Sequence, residues 1–194
     1  MISVAITGGI GSGKTTVCKI IKAIWSIPIY FADDRAKWLM ENDNELKTFI
    51  LNIFGTQAFN NDKLNKAYIA KKIFSDNNYK TKLESFVHKK VINDYYEWRN
   101  LNNNFVYTIF ESAIVFEANI YSYFDKIILV TAPVDLRIER LINRGFSKKE
   151  VLQRMKNQLS DDDKTKRCDY IIENDENKSL IEQIINIHNS LIKK

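Results

Sequence analysis

The chain is 194 residues long and 45% hydrophobic, enough for one compact domain with a sizeable core. Its two cysteines, Cys18 and Cys168, form no CxxC pair and have no histidine cluster beside them, which excludes a disulfide scaffold and a structural zinc site and fits a reduced, cytoplasmic setting. The net charge of +5, from 29 Lys and Arg against 24 Asp and Glu, reads either as solubility or as an electropositive cleft for anionic ligands, and the interleaving of the two signs argues against a nucleic-acid partner.

The first apolar run, Ile2–Thr7, is expected as a strand. Gly8-Gly-Ile-Gly-Ser-Gly-Lys-Thr15 follows and matches G-x-x-x-x-G-K-[ST] between a strand and a helix, the context this motif requires. Glycines let successive amides turn inward on phosphate oxygens, so Gly9, Ile10, Gly11, Ser12 and Gly13 are expected to cradle a nucleotide. The helix opening near Gly13 adds the positive end of its dipole. Lys14 is expected at the β- and γ-phosphates, Thr15 as a ligand to Mg²⁺, and Thr16 at the α-phosphate. ATP and Mg²⁺ are the implied cofactors.

Ile27–Phe31 reads as the second strand, with Asp33 at its end, which in a parallel sheet is the ligand-binding edge. Asp33 there either accepts a proton from an acceptor hydroxyl or, with Asp34, caps the helix starting at Arg35. The long segment 34–104 reads as helical throughout. Within it Leu83, Phe86, Val87, Val91, Tyr95 and Trp98 recur at helical spacing behind a cap at Asp76 or Asn77. Phe105–Phe110 and Lys126–Thr131 are further strands, and Glu111 at the end of the first is either a ligand to Mg²⁺ or substrate or a solvated strand end.

Between Pro133 and Arg167 two short helices read as a lid. The first ends near Gly145, and Ser147-Lys-Lys-Glu150 is a capping box opening the second, whose apolar side is expected at Val151, Leu152, Met155 and Leu159. Arg137, Arg140 and Arg144 fall on one face of the first helix at i, i+3 and i+7, either as a solvated basic face or as a cation cluster closing on a triphosphate, joined by Arg154 and Gln158. Asp169–Glu173 is the last strand, and a final helix from about Ser179 to Ile192 is expected to turn Ile181, Ile184, Ile185, His188 and Leu191 inward. No run reaches the ~18 apolar residues of a membrane span, and no signal peptide is expected from the opening residues, which lack a basic region followed by a long apolar stretch.

The alternation predicts an α/β P-loop NTPase fold: a five-stranded parallel sheet flanked by helices, with core 1–33, 105–132 and 168–194, a helical acceptor-binding subdomain 34–104 and a lid 133–167. A GTPase needs Asn-Lys-x-Asp to read its base, and the nearest match, Asn177-Lys-Ser-Leu180, lacks the carboxylate. Phosphoryl transfer to a small acceptor remains. A nucleotide-dependent switch protein is the reading from a different class.

Gly8-Gly-Ile-Gly-Ser-Gly-Lys-Thr15, Ala32-Asp33, Phe86-Val87-His88, Phe116-Glu117, Arg140 with Arg144, Arg154-x-x-x-Gln158 and Cys168-Asp169-Tyr-Ile-Ile-Glu-Asn174 together resemble dephospho-CoA kinase, in order and over essentially the whole chain. The resemblance implies transfer of the ATP γ-phosphoryl to the ribose 3′-hydroxyl of dephospho-CoA, the last step of coenzyme A synthesis; a monomer or weak homo-oligomer is expected. It assigns Asp33 as general base, Lys14 and Arg140 to phosphate, Arg144 and Asn174 to ATP (Asn174 at the adenine), and Lys37, His88, Phe116 and Glu117 to the acceptor side, where Glu111 is expected from its strand-end position. The chain departs from the family at Phe31, at Ala113-Ile-Val-Phe-Glu117, at Lys89 after His88 and at Arg137.

Overall fold

The computed structural model describes residues 1–193 and divides into two compact units, one of residues 1–31 and 102–194, the other of residues 32–101. In chain order the strands among the described residues are β1 (Ile2–Thr7), β2 (Ile29–Phe31), β3 (Phe59–Asn60), β4 (Lys63–Leu64), β5 (Tyr107–Glu111), β6 (Lys126–Thr131) and β7 (Tyr170–Glu173). The helices are α1 (Lys14–Trp25), α2 (Ala32–Asn42), α3 (Asn44–Phe54), α4 (Lys66–Ser75), α5 (Asn77–Leu101), α6 (Val134–Ile142), α7 (Lys148–Lys156), α8 (Asp161–Thr165) and α9 (Leu180–Ile192).

In the first unit β2, β5, β1, β6 and β7 form, in that spatial order, one five-stranded sheet with every pairing parallel. Near-continuous apolar runs are what such strands need, because both faces are covered. On one face Val4, Ile6, Ile109, Ile128, Val130 and Ile172 pack with Val17, Cys18 and Ile21 of α1 and Ile184, Ile187 and Leu191 of α9. The alternate residues Ala5, Phe110 and Leu129 are equally buried on the other face, where Phe110 meets Phe124 with ring centroids 4.8 Å apart. The register places the ends of β1, β5, β6 and β7 at one edge: Ile6 lies opposite Glu111, Thr7 opposite Leu129 and Thr131 opposite Glu173. That edge receives the Gly8–Gly13 loop.

Strands β1 and β6 match the expected runs, whereas β2, β5 and β7 begin one or two residues later than their apolar runs suggest. Pro28 has no N–H to donate, yet its carbonyl accepts from Ile109 N at 3.0 Å, so the pairing of β2 fades rather than stops there. The face of α9 differs from expectation: Ile184, Ile187, His188 and Leu191 are buried, whereas Ile181 and Ile185 are 53% and 38% exposed. Isoleucines lie all round this helix, so only the sheet it packs on selects the buried face.

His188 lies in that core. Its Nδ1 is 2.9 Å from the Tyr107 hydroxyl, and the Trp25 ring stacks on it at 3.8 Å. Burial lowers its pKa below the usual 6.5, so folding favours the neutral imidazole. The unfolded chain therefore binds more protons, and this contribution to stability is complete above about pH 6.5 and declines as the pH falls below it. The melting temperature should fall more steeply between pH 7 and 5 in the native chain than in His188→Gln; parallel slopes would place the acid sensitivity elsewhere.

The second unit is helical with one correction. Phe59–Asn60 pairs antiparallel with Lys63–Leu64, so the segment 34–104 is not helical throughout. Asn61 and Asp62 both adopt left-handed backbone (φ 47° and 63°), the conformation a tight two-residue hairpin turn requires and that asparagine and aspartate tolerate. The long α5 buries Leu83, Val87, Val91 and Tyr95 as its spacing predicts, together with Ile92, while Phe86 and Trp98 are only half-buried; Asp76 Oδ1 accepts from Asn78 N at 2.8 Å at its start. No helix of the described residues is long and apolar enough to cross a membrane.

Candidate active site

The loop between β1 and α1 folds as a concave run of backbone. Gly8, Gly11 and Gly13 have positive φ, and Gly13 (φ 100°) caps α1 in the left-handed region. A Cβ on Gly13 would lie 2.1 Å from Asn174 Nδ2, and one on Gly9 would lie 2.0 Å from Arg137 Nη2, so both positions need glycine for close approach. Lys14 is 8% exposed, and its ammonium donates to the carbonyls of Gly8 at 3.0 Å and Gly9 at 3.3 Å. Ser12 is buried, while Thr15 and Thr16 lie exposed on the first turn of α1.

Around this loop the same sheet edge gathers charge. Glu111, at the end of β5, is 9% exposed; it and Lys14 both act on the Cys18 thiol, whose pKa is raised mainly by burial, further by Glu111, and lowered by Lys14. Asn174, just past β7, donates Nδ2 to Ser12 O at 2.8 Å and its backbone N–H to Thr131 O at 2.8 Å. Arg140 of α6 donates Nη2 to the Asn174 backbone and side-chain oxygens at 3.2 and 3.3 Å and to Glu176 at 3.0 Å. Its Nη1 is buried with no hydrogen-bond partner among the described residues. An unpartnered guanidinium donor beside a glycine-rich loop that opens a helix suits an anion.

The expected single face of three arginines does not form. Helix α6 ends at Ile142, with Gly145 (φ 90°) beyond it, so Arg144 sits exposed outside the helix. Arg137, 5% exposed, turns back to the loop, donating Nε to Ile10 O at 2.9 Å and Nη1 to Asp161 at 3.1 Å. The Ser147–Glu150 capping box forms as predicted, but on α7 only Val151 is buried; Leu152 and Leu159 are exposed and Met155 half-buried. Gln158 faces the loop, its Oε1 accepting from Ile10 N at 2.8 Å, whereas Arg154 lies over the Phe146 ring.

Within the second unit Asp33 is exposed in the first turn of α2, where a carboxylate also suits the helix dipole. Asp34 pairs with Lys37 at 2.9 Å, which raises the Lys37 pKa. His88 is half-buried on α5, and desolvation lowers its pKa.

The family model described as dephospho-CoA kinase matches residues 2–179. The chain belongs to the dephospho-CoA kinase family. It is 31% identical over 194 residues to the dephospho-CoA kinase of Bacteroides fragilis, covering 100% of this chain and 94% of the relative. A crystal structure from Thermus thermophilus matches with a TM-score of 0.83 at 28% identity, covering 100% and 98% of the two chains. The dephospho-CoA kinase structure from Campylobacter jejuni shares the fold at TM-score 0.69 and 22% identity, over 97% and 96% of the two chains.

Two acceptor-side residues of the family resemblance have partners that spacing does not reveal. Phe116 is buried under the Arg167 guanidinium, 4.8 Å from its ring centroid. Glu117 Oε1 accepts from Leu159 N at 3.0 Å and lies 2.8 Å from the ammonium of Lys164, an ion pair in distance though off the hydrogen-bonding direction. Lys164 is completely buried. The one sequence signal for it is a lysine closing the acidic run Asp161-Asp-Asp163. Glu117→Ala strands this ammonium and is expected to cost about 3 kcal/mol in denaturant unfolding, with most of it recovered when Lys164→Met is added. A loss under about 1 kcal/mol would mean the ammonium is solvated instead.

Proposed function

We propose that this chain transfers the γ-phosphoryl of ATP to the ribose 3′-hydroxyl of dephospho-CoA, giving coenzyme A and ADP, as the last step of coenzyme A synthesis. The observation that carries the proposal is the glycine cradle at the sheet edge, with the Lys14 ammonium inside it and Arg140 Nη1 unpartnered beside it. The loop at the start of α1 and these two cations hold a triphosphate and neutralise charge where it develops in transfer.

Thr15 is the residue that would hold Mg²⁺, since its hydroxyl lies exposed on the first turn of α1 and offers a hard oxygen; Glu111 is the carboxylate nearest that role. Bound there, the ion would neutralise charge on the transferring group. Asp33, the second residue after β2, orients the acceptor hydroxyl and takes its proton in an in-line transfer without a covalent intermediate. Residues 34–104 hold the acceptor, with Lys37 and His88 among the residues that bind it, and Phe116 and Glu117 serve the acceptor as well. Arg144 and Asn174 serve the ATP side. The lid 133–167 closes to exclude water, because an open site would hydrolyse ATP. A cytoplasmic monomer or weak homo-oligomer suits this reaction.

An acceptor panel with ATP and Mg²⁺ tests the proposal: dephospho-CoA should be consumed efficiently, and nucleosides, nucleoside monophosphates and shikimate should not. Efficient consumption of one of those instead would move the chain to another P-loop kinase activity. Slow hydrolysis with no phosphorylated acceptor would favour a switch.

A further inference from the structure

Ile10 is the one residue with a bulky side chain between Gly8 and Gly11, so little within the loop itself restricts its backbone. The loop nevertheless is held there from both sides. Gln158 Oε1 accepts the Ile10 N–H at 2.8 Å, and Arg137 Nε donates to the Ile10 carbonyl at 2.9 Å. Each clamp is anchored in turn: Gln158 Nε2 donates to Ala113 O at 3.3 Å, and Arg137 Nη1 to Asp161 Oδ2 at 3.1 Å. The Arg137 side chain is 6% exposed and lies against Gly9, in the space a Cβ there would take. Arg137 sits in α6, where the chain enters the 133–167 segment, and Gln158 lies after α7, where it returns. Both stems of that segment therefore grip the same loop residue.

We propose that Arg137 and Gln158 are positioning residues that hold the phosphate loop in its binding shape through Ile10 and couple that shape to the lid. The proposal rests on the kinase reading above. A glycine-rich loop left free must lose conformational entropy when it closes on phosphate, and fixing it beforehand lowers that cost. Arginine suits the position because its rigid fork serves a carbonyl through Nε and a carboxylate through Nη1 together, which a lysine ammonium on a flexible stem does not.

The test is calorimetric titration of Mg·ATP into the full-length chain and into Arg137→Ala, Arg137→Lys, Gln158→Ala and the Arg137→Ala/Gln158→Ala double variant, with melting temperatures measured alongside. Each single variant should weaken ATP binding by about 10-fold, Arg137→Lys included, the scale of one hydrogen bond. Because both clamps act on one residue, the double variant should be only about 2–3-fold weaker than either single one, instead of the roughly 100-fold that independent sites would give. Unchanged ATP affinity in folded variants with lower melting temperatures would overturn the proposal and make both residues structural. Independent, additive losses would overturn the shared clamp. A native chain that takes up no ATP would instead remove the kinase reading itself.

Discussion

Asp33→Asn is expected to lower kcat by ~10²–10⁴-fold, the usual worth of general-base assistance, while the affinity for ATP stays near that of the native chain. The substitution is nearly isosteric and keeps an oxygen able to accept hydrogen bonds, so it removes charge and basicity with little change of shape. Asp33 also sits in the first turn of α2, where a carboxylate stabilises the helix dipole by ~0.3–1 kcal/mol. The two roles separate cleanly. A residue acting only on the helix would lower the melting temperature slightly and leave turnover near normal, whereas a base loses turnover at a temperature where the protein is fully folded.

Lys14→Ala should reduce turnover at saturating ATP by ~10²–10³-fold, the scale for removing one preorganised donor from a site of developing charge. The ammonium now bonds the carbonyls of Gly8 and Gly9, inside the loop that its own helix begins. Its removal takes away both a charge on the transferring group and a brace on the loop, so ATP affinity should fall as well. Rapid-quench measurement of a single turnover at saturating ATP separates the two effects: a transfer step at the native rate would exclude Lys14 from contact with the moving phosphoryl.

The phosphate loop was legible in the sequence because its chemistry is local. Nine consecutive residues contain the glycines, the lysine and the hydroxyls, and their conformations follow from what glycine allows. The parallel sheet was legible for a related reason, since strands covered on both faces read as short apolar runs. Helix ends with side-chain signals, such as Ser147 with Glu150 and the turn at Gly145, were equally plain.

What spacing did not give depends on neighbours far along the chain. Arg137, Arg140 and Arg144 share a helical period, but the helix stops at Ile142 and the loop at Ile10 draws Arg137 away from any common cluster. Lys164 looks like a solvated charge after three aspartates, and only Glu117, 47 positions earlier, explains its burial. The turn at Asn61 and Asp62 joins strands too short to show alternation. On α9, isoleucines at 181, 184, 185 and 187 leave the inward face undetermined until the sheet is in place.

Mass spectrometry of a reaction containing the purified chain, ATP, Mg²⁺ and dephospho-CoA tests phosphoryl transfer at this site most directly. The expected product is dephospho-CoA carrying one added phosphate, formed in step with ADP and lost in Lys14→Ala. Formation of ADP with the acceptor mass unchanged, or no ADP at all from folded protein, would contradict it.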